Sequence, residues 1–187
     1  MRSTLFAVML VSMAAKTKAL LVGDVQRDFM ERGGALYCGD AARHIIPRIQ
    51  QLIEEFRGED ALVVFVQDTH VPNDPEFRLW PPHCVKGTNG HELLPELDVH
   101  PGDLRVEKPH YSAFHSTHLA RLLHDAGVRE VHLTGDCTSI CVLFTAADAF
   151  NHGFRVVVHR DAVADFDPQA HEFALRHMEK ILGAKML

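Results

Sequence analysis

The chain has 187 residues but only four cysteines, Cys38, Cys84, Cys137 and Cys141, and no spacing typical of a disulfide framework. The closest pair is CxxxC, not the CxxC of a redox motif. The thiols are therefore read as reduced, which fits an intracellular, cytoplasmic location. Basic residues do not dominate: nineteen Lys and Arg face twenty-five Asp and Glu, for a net charge of −6. That balance argues against nucleic acid or an anionic membrane as partner. No apolar run is long enough to span a bilayer. Internal repeats, low-complexity tracts and a linker that would divide the chain are also missing. What remains is the length and hydrophobic content of one globular domain able to bury a full core.

The first residues stand apart. Met1-Arg2-Ser3-Thr4 and the apolar stretch Leu5 to Ala15 have the outline of a short signal peptide, although Arg2 is its whole basic region. An upstream start codon is the plainer account, with Met13 opening the segment before the first strand. Residues 1–17 are accordingly read as an extension and 18–187 as a single domain.

Apolar runs alternate with helical stripes along the domain. Ala19 to Val22, Leu62 to Val66, Asp103 to Glu107, Val131 to Leu133 and Phe154 to Val158 read as strands. Ile45, Ile49, Leu52, Ile53 and Phe56 share one helical face, as do Leu119, Leu122, Leu123 and Ala126, which Gly127 stops. Further helices are expected over 140–150 and 169–182. Strands apolar throughout and separated by helices predict a parallel sheet covered on both faces. The expectation is an α/β fold, a three-layer α/β/α sandwich with a doubly wound, mainly parallel central sheet. Ligands of such folds bind beyond the carboxyl ends of the strands. Asp24, Asp68, Lys108 and the turn from Gly135 to Cys141 all fall at those ends.

Asp68 and His70 are two apart at the end of a strand, so their side chains leave it on the same side. Glu76 and His83 follow in a loop stiffened by Pro72, Pro75, Pro81 and Pro82. Two imidazoles and two carboxylates suit a borderline divalent ion: zinc first, with iron or manganese as alternatives. Asp74 is the weaker carboxylate of the loop and is assigned to solvent. With fourteen histidines in the chain, the spacing alone does not separate a site from chance. Cys141 opens a helix after a turn of small polar residues, where free N–H groups and the helix dipole favour a thiolate and could receive an oxyanion. A free cysteine is more commonly a small buried hydrophobe, and Cys137 in the same turn is the rival nucleophile. Asp24 could take a thiol proton, and Lys108 could stabilise the ionised groups. Taken singly, these two are more often a capping carboxylate and a solvated amine.

Three separated segments then carry a resemblance. Gly23-Asp24-Val25-Gln26-Arg27-Asp28-Phe29 resembles the DxQxDF opening of the isochorismatase-like cysteine hydrolases. Glu107 to Phe114 is similar to their lysine segment, and Gly135 to Val142 with Thr145 to Ala149 to their cysteine segment. Asp68-x-His70 with Trp80-Pro81-Pro82-His83-Cys84-Val85 resembles the nicotinamidase (pyrazinamidase) branch in particular, because isochorismatases generally lack this metal site. The resemblance runs over nearly all of the chain after residue 17.

It implies a triad of Asp24, Lys108 and Cys141, with the backbone N–H groups of Cys137 and Cys141 as oxyanion hole. It further implies one divalent ion held by Asp68, His70 and His83, with Glu76 in a place where many relatives have a third histidine. Phe29, Trp80 and Tyr111 correspond to substrate-binding aromatics. The implied reaction is hydrolysis of nicotinamide, and of pyrazinamide, to the acid and ammonia in NAD salvage, by an enzyme expected to be a homo-oligomer. Alternatives are an amidase of the same superfamily acting on a carbamoyl or ureido substrate, and an inactive metal-binding protein on this fold. Two departures stand out. Ser139 replaces a common Asp two residues before the nucleophile, and Asp136-Cys137 replaces an apolar-Ala pair whose peptide bond is often cis in relatives.

Overall fold

The computed structural model describes residues 16–59 and 61–187. The reading of residues 1–17 as an extension lies, up to residue 15, outside the described residues. Six strands form one parallel sheet in the order β3-β2-β1-β4-β5-β6. They are β1 (Lys18–Gly23), β2 (Leu62–Asp68), β3 (Leu104–Lys108), β4 (Glu130–Asp136), β5 (Arg155–Ala164) and β6 (Lys185–Met186).

The strands are apolar on both sides because each side has its own core. In β1, Ala19 and Leu21 point into one core and Leu20 and Val22 into the other, as the two-residue period requires. The second core is closed by α1 (Arg27–Met30), α2 (Asp40–His44) and α3 (Ile46–Gly58). Ile49, Leu52, Ile53 and Phe56 of α3 are buried there, so the stripe read in the sequence is its contact face. Pro47 sits in the first turn of α3, where its missing N–H has no helical partner to lose. The first core lies under α4 (Leu119–Asp125), α5 (Leu143–Asn151) and α6 (Pro168–Leu182). Asp167 caps α6 by accepting from the N–H groups of Gln169 and Ala170, and Gly183 ends it at φ 63°. Three layers around a doubly wound parallel sheet are the expected architecture.

Several boundaries differ from the sequence reading. β5 continues to Ala164 because its pairing with β4 resumes past an irregularity between Leu133 and Gly135. The polar run His159-Arg160-Asp161 hid that continuation. The helix expected from residue 140 begins instead as a π-helical turn, Thr138–Val142, which runs into α5. Gly135 permits the close approach of β4 to β1: its φ is +108°, and a Cβ there would lie 1.8 Å from the carbonyl oxygen of Gly23.

Candidate active site

Asp24, Asp68, Lys108 and the Gly135–Cys141 turn follow the carboxyl ends of β1, β2, β3 and β4. Lys108 is their common point. Its ammonium lies 3.1 Å from Asp24 Oδ2, 2.9 Å from Asp68 Oδ1 and 3.5 Å from Cys141 Sγ. A lysine 1% exposed is stable only when its charge is paired. Burial opposes that charge, and the carboxylates of Asp24 and Asp68 overcome it, holding the ammonium well above its usual pKa. The sequence-derived triad is therefore brought together in space.

Asp24 is a non-glycine residue at φ 58°, a backbone conformation that costs on the order of 1–3 kcal/mol. Its N–H donates to Val66 O at 2.9 Å, which ties the turn to β2. Neither carboxylate oxygen has a directed hydrogen bond, so the ammonium of Lys108 is its one close charge partner among the described residues. Burial raises the Asp24 carboxyl to about 6, against the pull of Lys108. The Cys141 thiol is pushed well above its usual pKa, first by burial and then by the two carboxylates, with Lys108 opposing. The resting cysteine is thus a thiol beside an ionisable carboxylate, and the proton has a short route from sulfur to oxygen.

The other half of the site is built on Asp68. Its Oδ2 is 2.9 Å from His70 Nε2 and 3.2 Å from His83 Nε2. Ligand atoms of these three buried residues all lie within 4.8 Å of one another. Burial pushes the Asp68 carboxyl up, but Lys108, His70 and His83 together hold it well below the ordinary carboxylate range. Of the outer ring nitrogens, His83 Nδ1 lies 2.8 Å from Pro81 O. His70 Nδ1 lies 3.1 Å from Asp74 Oδ2 as a charge contact without hydrogen-bond geometry. Burial opposes a charged His70, yet Asp68 and Asp74 raise its pKa to about 9. A cluster so arranged could hold a divalent ion in place of ring protons.

Glu76 lines the same pocket but is not among the three residues with mutually close ligand atoms. It is half-buried, and its carboxyl is raised first by burial and then by Asp68, with His70 and His83 opposing. Asp74, expected to face solvent, is instead held inside the loop. It accepts from Glu76 N at 2.9 Å and braces His70.

Cys141, Asp68, Glu76 and His83 line one pocket. Phe29, Trp80 and Tyr111 all line it, as does Phe166. Trp80 Nε1 donates to the Tyr111 hydroxyl at 3.1 Å, and Phe166 meets the Trp80 ring edge-on at 6.2 Å. Phe77 packs edge-on against both His70 and His83. The Asp136–Cys137 peptide bond is cis.

Gln26, given no role by the sequence, clamps the peptide of Asp68. It accepts from Asp68 N at 2.8 Å and donates to Asp68 O at 2.9 Å and His91 O at 2.8 Å. Asp28 accepts from Cys84 N and Ala35 N. Gly90 packs onto its carboxylate at a distance no side chain could share, since a Cβ there would lie 2.1 Å from Oδ2. Both residues belong to the opening DxQxDF segment, which was the signal available for them.

A parallel α/β sheet with paired acidic, ammonium and thiol groups at its carboxyl edge defines a class of hydrolase-like sites, and comparison with known proteins gives the family. The isochorismatase domain matches residues 18–186, so the chain belongs to the isochorismatase family. Among solved structures, the nicotinamidase/pyrazinamidase PncA of Bacillus subtilis is 42% identical with a TM-score of 0.86, covering 91% of this chain and 98% of that one. The pyrazinamidase of Pyrococcus horikoshii in complex with zinc is 38% identical, with a TM-score of 0.85 and coverage of 91% and 98%. The N-carbamoylsarcosine amidase of Thermoplasma acidophilum is 36% identical, with a TM-score of 0.83 and coverage of 91% and 95%.

Proposed function

We propose that the protein is a nicotinamidase that hydrolyses nicotinamide to nicotinate and ammonia, and accepts pyrazinamide, in salvage of nicotinamide for NAD. The observation that carries this reading is one pocket lined together by Cys141, by Asp68 and His83 of the proposed metal cluster, and by the rings of Phe29, Trp80 and Tyr111. The two named relatives that act on nicotinamide or pyrazinamide support it.

Asp24 takes the thiol proton as Cys141 attacks the amide carbon, and Lys108 stabilises the ionised pair. The N–H groups of Cys137 and Cys141 receive the tetrahedral oxyanion. Asp24 returns the proton to the departing ammonia, leaving a thioester on Cys141. Water then hydrolyses the thioester, with Asp24 accepting its proton. Asp68, His70 and His83, with Glu76 completing the set, would hold one divalent ion. Such an ion, zinc first and iron or manganese as alternatives, would supply a Lewis-acidic anchor for the ring nitrogen. Phe29, Trp80 and Tyr111 confine the ring, which fixes the carboxamide against Cys141.

The rival reading is an amidase for a carbamoyl or ureido substrate, as the name of the Thermoplasma acidophilum relative suggests. That reaction would use Asp24, Lys108 and Cys141 but has no ring nitrogen for a metal held by Asp68, His70 and His83, and the aromatic lining of Phe29, Trp80 and Tyr111 favours a planar aromatic amide.

The test is ammonia release by metal-analysed protein from nicotinamide, pyrazinamide and a ureido acid. Turnover of nicotinamide that disappears in Cys141→Ala is expected. Turnover of the ureido acid alone would overturn the assignment.

A further inference from the structure

A second group of metal-ligating side chains lies beside the nucleophile turn and uses none of the residues placed in the first cluster. Cys38 Sγ and Cys137 Sγ are 3.3 Å apart. The two sulfurs and an Asp136 carboxyl oxygen all lie within 4.8 Å of one another. Asp136 and Cys38 are each 1% exposed. Neither carboxyl oxygen of Asp136 has a hydrogen-bond partner among the described residues. Leaving such a group unsatisfied costs on the order of 1–3 kcal/mol. Asp24 shares that lack but has the Lys108 ammonium against it; no ion pair is seen for Asp136 among the described residues.

We propose that Cys38, Asp136 and Cys137 form a second metal site, for a thiophilic divalent ion of the zinc and cadmium class.

Two thiolates and one carboxylate are a donor set that such ions favour over magnesium or calcium. The spacing agrees with it. Zinc–thiolate bonds of about 2.3 Å at a tetrahedral angle place two sulfurs about 3.7 Å apart. The observed pair needs to open by a few tenths of an ångström. A disulfide, at about 2.05 Å, would require the sulfurs to close by more than 1 Å. Entry is from the active-site pocket, which Cys137 lines, and a water on that side supplies a fourth ligand.

Burial holds the Asp136 carboxyl well above its ordinary pKa, with the Cys38 thiol pulling the other way. Binding is ligand exchange with no change of oxidation state: water on the ion is replaced by two thiolate sulfurs and one carboxylate oxygen, and the protons these groups carried leave to solvent. An occupied site would fasten Cys38, between α1 and α2, to Cys137, whose N–H is a proposed oxyanion donor.

The experiment is a titration of chelator-stripped, reduced protein with cobalt(II), following the near-ultraviolet sulfur-to-cobalt charge-transfer band. A band with the amplitude of one thiolate-bound ion is expected in the wild type, in His70→Ala and in Cys141→Ser. It should vanish in Cys38→Ser and in Cys137→Ser, and Asp136→Asn should weaken the affinity by about tenfold or more. Cys38→Ala and Cys137→Ala serve if a serine variant fails to fold. Absence of the band from wild type would overturn the site. So would its loss in His70→Ala or Cys141→Ser, or its survival without Cys38.

Discussion

The ammonium of Lys108 bridges Asp68 and Asp24, at 2.9 and 3.1 Å, while lying 3.5 Å from the sulfur of Cys141. One buried charge thus belongs to both the proposed metal cluster and the proposed nucleophile. Lys108→Met removes the ammonium that, among the described residues, lies between these two buried carboxylates. Breaking a buried pair in that way costs about 3–5 kcal/mol. The expected result is a large fall in the urea midpoint together with loss of ammonia release. A variant as stable as wild type would mean that the carboxylates were not relying on Lys108.

Cys141→Ala is expected to abolish turnover and keep the fold, because little packing is lost at a half-buried position. Cys137→Ala should retain substantial activity, since its proposed contribution is a backbone N–H. Mass spectrometry of protein quenched during turnover should find the acyl group on Cys141 alone. Acylation of Cys137 would transfer the nucleophile's role to it.

Asp24 sets the acid limb of the rate. Its carboxyl is raised to about 6 by burial, and only the ionised form accepts the thiol proton. Activity should therefore be full above that value and fall as pH drops through it, with a slope of one proton. Asp24→Asn should be inactive at every pH. A wild-type profile flat down to pH about 4 would remove Asp24 as the base.

Much of this site could be read from sequence for a physical reason. Strand ends are marked by the point where an apolar run stops, and Asp24, Asp68 and Lys108 stand at those points. Asp68 and His70 share a side because the strand period is two. The role of Asp74 was not legible, and Gln26 was marked only by its place in the DxQxDF segment, because what each does rests on contacts with His70 and Asp68 set by tertiary packing. β6 and the helices α1 and α2 are too short to show any period. The loop from Val71 to Cys84 is pinned at its base by His70 N donating to Cys84 O and Lys86 N to His70 O, and no local pattern announces that closure.

The loop carboxylates separate by metal content. Glu76→Ala should lower metal occupancy and turnover together, and Glu76→His should keep both. Asp74 braces the outer nitrogen of His70, and loss of such a partner typically costs 10–100-fold in metal affinity. Asp74→Ala is therefore expected to weaken metal binding while added metal restores turnover. Full occupancy in Glu76→Ala would leave Asp68, His70 and His83 as the complete protein set.

The most distant prediction concerns acid stability. His132 Nδ1 lies 2.9 Å from His159 Nε2, and His132 Nε2 lies 3.0 Å from Glu130 Oε1. With both rings neutral and Glu130 accepting from Nε2, the Nδ1 of His132 is the acceptor and His159 Nε2–H the donor. Phe56 caps the pair with an edge-on contact of 4.8 Å to His132. Burial first, and His132 second, depress the pKa of His159 to about 4. In the unfolded chain that imidazole titrates near 6.5. As pH falls below about 6.5 the unfolded state therefore takes up the proton first, and stability declines until the folded pKa is reached. The loss for His159 alone is roughly 3 kcal/mol over that window. Urea unfolding at about pH 7.5 and about pH 5 should differ clearly in wild type, and much less in His132→Leu/His159→Leu. The metal ligands titrate in both proteins, so the difference between them isolates the histidine pair. An equal loss in the double variant would place the acid sensitivity elsewhere.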